Sequence, residues 1–165
     1  MLFSVDPPAR SNYNEDDSNN SSLIVTVYNG DDVLLFMGDA QTERLEEYLE
    51  ADPVDCDFLK IPHHGGEDVL MDDLIAAVTP EYAVITSSDD EREADSTADS
   101  LNDAGTETFL TRMGAVYVLS SGTNVTVNYE EPVNLFMHPP KNTYDSRIRK
   151  QIRRSAPRHR PSRQT

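Results

Sequence analysis

Leu34-Leu35-Phe36-Met37-Gly38-Asp39-Ala40 and Phe58-Leu59-Lys60-Ile61-Pro62-His63-His64-Gly65-Gly66 are the two stretches whose reading decides the fold. In each, a short apolar run ends in a Gly-containing turn that bears metal-ligand chemistry, one Asp in the first and a His pair in the second. A strand end suits such chemistry because the sheet holds the backbone still while the loop exposes the side chain. Carboxylate oxygen with imidazole nitrogen is a donor mix that zinc, manganese and iron accept. The single Cys, Cys56, excludes a thiolate site. Together the stretches predict half of a hydrolytic metal site.

Outward from there, residues 23–28 read as a β-branched strand, Asn29-Gly30-Asp31-Asp32 as a hairpin turn, and residues 33–37 as the returning strand. Residues 42–49 carry Leu45 and Leu49 at helical spacing, with acids on the other face. Residues 58–61 read as a buried strand. Residues 68–78 place Val69, Leu70, Leu74, Ile75 and Val78 on one helical stripe, stopped by Thr79-Pro80. A strand at 82–86 and a helix at 96–104, closed by Gly105, come next in the chain. Residues 106–110, 115–119 and 124–129 read as short strands completing the same sheet. The order β-β-α-β-α-β-α-β-β-β predicts an α/β fold with a mixed sheet and helices on one face. Residues 1–19, polar and rich in Pro, Asn and Asp, predict a disordered segment. Residues 20–130 form the predicted domain, and residues 131–165 a basic tail, partly helical or disordered.

These blocks, in this order, resemble the metallo-β-lactamase fold superfamily, and within it the hydrolase domain of ComEC-type DNA-uptake proteins and their free-standing relatives. The resemblance runs from about residue 19 to about residue 127. It also takes in Asn20-Ser21-Ser22-Leu23-Ile24-Val25 and Pro80-Glu81-Tyr82-Ala83-Val84-Ile85-Thr86. It implies the C-terminal half of an αββα sandwich and a metal-dependent hydrolase of esters or phosphodiesters. The resemblance implies Asp39 as a metal ligand, in the family often bridging two ions, and the His-His turn as the source of a second ligand. His64, deeper in the Gly-Gly turn, reads as that ligand, with His63 as the catalytic group assisting proton transfer; the reverse assignment is the alternative. The implied ion is zinc or manganese.

The family's other ligands come from a His-x-His-x-Asp-His cluster in its N-terminal half, and no His precedes His63 in this chain. The loop at 87–96, where relatives often carry Gly-His-Pro, also lacks His. The expected partner is therefore a polypeptide carrying the N-terminal half, or a second copy, packed on the sheet face that the helices leave open. The contrasting reading is a non-catalytic, degenerate half-domain that acts as a binding or structural module. His138, between Met137 and Pro139-Pro140, reads as a loop residue, and His159 as a surface residue of the tail.

Charge divides the chain. From Lys141 onward nine Lys/Arg stand against one acid, giving +8, and the preceding residues carry −24 of the net −16. Only Lys60, Lys141 and Lys150 are lysines. An acidic surface nearly free of Lys reads as a halophilic protein's means of staying hydrated; a surface built for a basic partner is the alternative. The acidic body argues against direct grip on nucleic acid. In the tail, Arg147, Arg149, Lys150, Arg153 and Arg154 are the candidates for nucleic-acid phosphate contact, against an extension tethered to the chain's own acidic body. No run approaches the ~20 apolar residues of a membrane span. The expectation is a soluble, cytoplasmic protein.

Overall fold

Gly30 turns the first hairpin. It sits at φ +59°, a left-handed backbone that glycine adopts without cost, and a Cβ there would collide with the Gly122 carbonyl. The computed structural model describes residues 1–9 and 15–129. The hairpin strands are β2 (Ile24–Asn29) and β3 (Asp32–Phe36). The chain then alternates through α1 (Thr42–Glu50), β4 (Phe58–Lys60), α2 (Met71–Val78), β5 (Tyr82–Ile85), α3 (Asp95–Asp103) and β6 (Glu107–Leu110). With β1 (Leu2–Asp6) these strands form one six-stranded sheet in the order β1-β2-β3-β4-β5-β6. The β1–β2 and β2–β3 pairs are antiparallel, and the three pairs from β3 to β6 are parallel. The fold is α/β with a mixed sheet.

All three helices cover the same face. Leu45 and Tyr48 of α1, Leu74, Ile75 and Val78 of α2, and Leu101 of α3 pack with Leu35, Leu59, Ala83 and Ile85 of the sheet in one core. A strand alternates its side chains between faces, so Leu34, Phe58, Val84 and Phe109 point the other way. That second face is not bare. Strands β7 (Tyr117–Ser120) and β8 (Val125–Asn128) form a separate two-stranded sheet, and Val125 and Val127 pack on Leu34, Phe58, Val84 and Phe109. The Asp32 carboxylate, 2% exposed, pins this hairpin by accepting from Ser120 Oγ at 2.6 Å and Gly122 N at 2.8 Å.

Several expectations change. The segments at 115–119 and 124–129 leave the main sheet, because their period-two pattern fits any half-buried strand and does not say which surface it covers. The open face shrinks accordingly: its exposed apolar residues lie at the β1–β3 end, Phe3 at 68%, Val5 at 44% and Phe36 at 37%. Residues 1–19 are not without structure, since Leu2–Asp6 pairs with β2 and Glu15–Ser21 forms a 3-10 turn. Helix α2 starts at Met71, so Val69 lies outside the stripe and is 81% exposed.

Arg44 explains why β1 is held. Its guanidinium, 1% exposed, donates to the Asp6 carbonyl at 2.8 Å, the Asp6 carboxylate at 3.0 Å and the Ser22 carbonyl at 3.1 Å. Asn20 Oδ1 accepts from Gln41 N and Arg44 N, which satisfies donors at the start of α1. Among the described residues no helix is long and apolar enough to cross a membrane. His138, His159, Arg147, Arg149, Lys150, Arg153 and Arg154 lie outside the described residues.

Candidate metal centre

The ends of β3, β4 and β5 come together at the C-terminal edge of the parallel strands, the edge where open α/β sheets bind ligands. The turn after β3 bends at Gly38, φ +58°. Asp39 N donates to Ser22 Oγ at 3.1 Å, so the lead into β2 fixes the Asp backbone. After β4, Pro62 ends the extended run, and His63 (φ +43°), His64 (φ +54°) and Gly65 (φ +73°) are successively left-handed. Two non-glycine residues in that region cost on the order of 1–2 kcal/mol each, and such strain persists only where surroundings impose it. They do so here. Gly65 N donates to Pro62 O, Gly66 N donates to His63 O, and Ala94 N donates to Gly65 O at 2.8 Å. A Cβ on Gly65 would press within 2.9 Å of Ile85.

The result places Asp39 and His64 face to face. His64 Nε2 lies 3.6 Å from Asp39 Oδ1. His64 Nδ1 lies 2.6 Å from the Thr86 carbonyl, which can only accept, so Nδ1 carries a proton and Nε2 is the ring nitrogen turned toward the carboxylate. An imidazole nitrogen and a carboxylate oxygen in this relation can share a cation, a proton or a metal ion. A backbone carbonyl behind the imidazole is also the arrangement that orients metal-binding histidines. Ligands at ~2.0–2.1 Å from a tetrahedral zinc are about 3.4 Å apart, so the separation fits two ligands of one ion.

His63 is set differently. The Gln41 amide donates to its Nδ1 at 3.3 Å, which leaves the ring proton on Nε2. The two rings stand 6.4 Å apart, centroid to centroid. Both histidines and Asp39 line a cleft of about 360 Å³ with Asn19, Gly66, Glu91 and Arg92. The loop carrying Glu91 and Arg92 is anchored behind by Arg112, which donates to both Glu93 oxygens at 2.7 and 3.3 Å. That pairing draws the Glu93 carboxyl down to about 2.

Sequence reasoning missed Lys60. Its Nζ donates to the Gly38 carbonyl at 2.6 Å and lies 3.4 Å from Asp39 Oδ1. Desolvation lowers its pKa, and Asp39 opposes that shift. The signal was a lysine inside a strand otherwise apolar. Among the described residues no three or more His, Cys, Asp or Glu side chains assemble as a metal cluster, so Asp39 and His64 stand as a pair. Cys56 takes no part: it is buried, and burial pushes its thiol up to about 12. Comparison with protein-family models, with curated proteins and with solved structures finds no match.

Proposed function

We propose that this chain is part of a metal-dependent hydrolase of the metallo-β-lactamase or ComEC-like type, acting on an ester or phosphodiester. The observation that carries the reading is His64, whose Nδ1 is tied to Thr86 while Nε2 faces Asp39. Asp39 and His64 would hold zinc or manganese. The chemistry such an ion supplies when bound is an acidified water and a polarised ester or phosphoryl oxygen. His63, which lines the cleft and accepts from Gln41 at Nδ1, would donate from Nε2 to a substrate or leaving-group oxygen. A catalytic zinc takes three protein ligands. The reading therefore requires a further ligand beyond Asp39 and His64, which we take to come from a polypeptide carrying the missing His cluster, for which Phe3, Val5 and Phe36 offer an uncovered apolar surface.

The test is metal content of the full chain after dialysis against zinc or manganese, with hydrolysis of a chromogenic phosphodiester measured alone and with a polypeptide carrying a His-x-His-x-Asp-His cluster. Stoichiometric metal supports the reading; neither metal nor turnover in any combination overturns it. The second reading, a non-catalytic binding or structural module, is favoured by one observation, that Asp39 already has a cationic neighbour in Lys60.

A further inference from the structure

We propose that the Lys60 ammonium is the resident counter-cation of Asp39 and restricts the Asp39–His64 pair to at most one, weakly held, divalent ion. The inference rests on the metal-centre reading and concerns how that centre is controlled. Three groups meet at a single oxygen. Asp39 Oδ1 has both His64 Nε2, at 3.6 Å, and Lys60 Nζ, at 3.4 Å, as neighbours. Lys60 is the last residue of β4 and shares its face with Phe58, so the sheet fixes the base of the side chain. The Lys60 side chain is 17% exposed, and its ammonium is further held by a 2.6 Å bond to the Gly38 carbonyl. It cannot swing into water without giving up that bond.

Charge balance sets how much metal the pair can hold. The carboxylate and the ammonium already cancel and a histidine adds no negative charge, whereas divalent-ion sites gather negative charge. An ion seated between Asp39 and His64 would share its carboxylate oxygen with a fixed positive charge. At the effective dielectric of a protein, a divalent ion and an ammonium within a few ångströms repel by more than about tenfold in the binding constant. A second ion bridged by Asp39 would sit on a carboxylate whose charge the ammonium already balances. Of the three lysines, Lys60 alone lies outside the tail, so a general surface role does not account for it.

The experiment is titration of the full chain with zinc and with manganese by calorimetry, with bound metal counted after desalting, for wild type, K60M, K60Q and K60R. Thermal melts establish that each variant is folded, and K60Q retains a donor for the Gly38 carbonyl. The expected result is no more than one equivalent in wild type, binding about tenfold or more tighter in K60M and K60Q, and wild-type behaviour in K60R. Metal bound by K60M and K60Q but not by wild type supports the proposal equally. Unchanged or weaker binding in both neutral variants, beside a stoichiometric ion in wild type, removes Lys60 from this role and leaves the metal centre standing. Two equivalents in wild type overturn the proposal without any variant. No binding by any of the four chains removes the metal centre itself.

Discussion

His64 and Asp39 are brought within 3.6 Å by two different turns, and the orientation of the imidazole is imposed by a third element, the Thr86 carbonyl at the end of β5. The pair is open to water, with side chains 49% and 43% exposed. Removing either group therefore affects ligand binding far more than folding. D39N and H64N are expected to lower zinc affinity at least about tenfold while changing stability by less than ~1 kcal/mol. Asn tolerates the left-handed backbone at position 64, so the turn survives. Calorimetry and urea unfolding on the same preparations check both halves.

Asp32 is the buried anchor of the β7–β8 hairpin. D32A leaves the half-buried Ser120 hydroxyl and Gly122 N–H without their acceptor, and an unsatisfied buried group costs roughly 1–3 kcal/mol. The expected loss is about 2–4 kcal/mol in urea unfolding. Amide exchange should accelerate at Val118 and Val127 before it does in β3 to β5.

Arg44 fastens β1. R44M leaves the Asp6 carboxylate and the Ser22 carbonyl without the guanidinium that now serves both. Breaking a buried ion pair from one side costs about 3–5 kcal/mol, and partial exposure of Asp6 places this case at the lower end. R44K, with a single ammonium in place of a planar fork, should not restore it. Limited proteolysis within residues 1–9 should rise in both variants.

Glu93 gives the acid limb of stability. Arg112 lowers its folded-state value from 4.5 to about 2, so the folded chain binds fewer protons here than the unfolded chain. The contribution is complete above pH ~4.5 and is lost as pH falls toward about 2. E93Q and R112M should flatten the pH dependence of the urea midpoint across that window and leave its slope above pH 6 unchanged.

The residual apolar patch makes a prediction about assembly. Phe3, Val5 and Phe36 share the sheet face opposite the helices, and β1 is an edge strand, an exposed template for further pairing. Light scattering in molar salt is expected to show association of the wild-type chain and a monomer for V5K. A monomeric wild type with a cooperative melt would mean that β1 and the hairpin close the sheet unaided.

The parallel strands and their turns were legible because their signals are local. Gly38-Asp39, Pro62-His63-His64-Gly65 and Thr79-Pro80 each announce a strand or helix end in the residues themselves. Asp39 and His64, read from the resemblance as ligands of one ion, lie 3.6 Å apart. What stayed hidden depends on partners remote in sequence. Residues 1–19 as a whole have too few apolar residues to order alone, and Leu2–Asp6 becomes a strand through β2 and an Arg44 that lies 38 positions from Asp6. Val125 and Val127 alternate as any strand would, and only the Asp32 anchor decides which surface they meet. Lys60 was in plain view, but a lysine at a strand end has no meaning until the neighbouring turn is folded against it.

The Asp32–Ser120 bond joins residues 88 apart in sequence, and this separation sets an order of events during folding. Closing so long a loop is costly, so the hairpin is expected to dock onto a sheet whose strands have already paired. Until then Leu34, Phe58, Val84 and Phe109 face water on an otherwise complete β-surface. Such a species is prone to stick to its own kind. The −24 carried by residues 1–140 then acts on the folding chain, because mutual repulsion holds half-built molecules apart during the interval in which they are most adhesive. Refolding yield should consequently fall as salt screens that repulsion, even where the finished protein gains nothing from its charge.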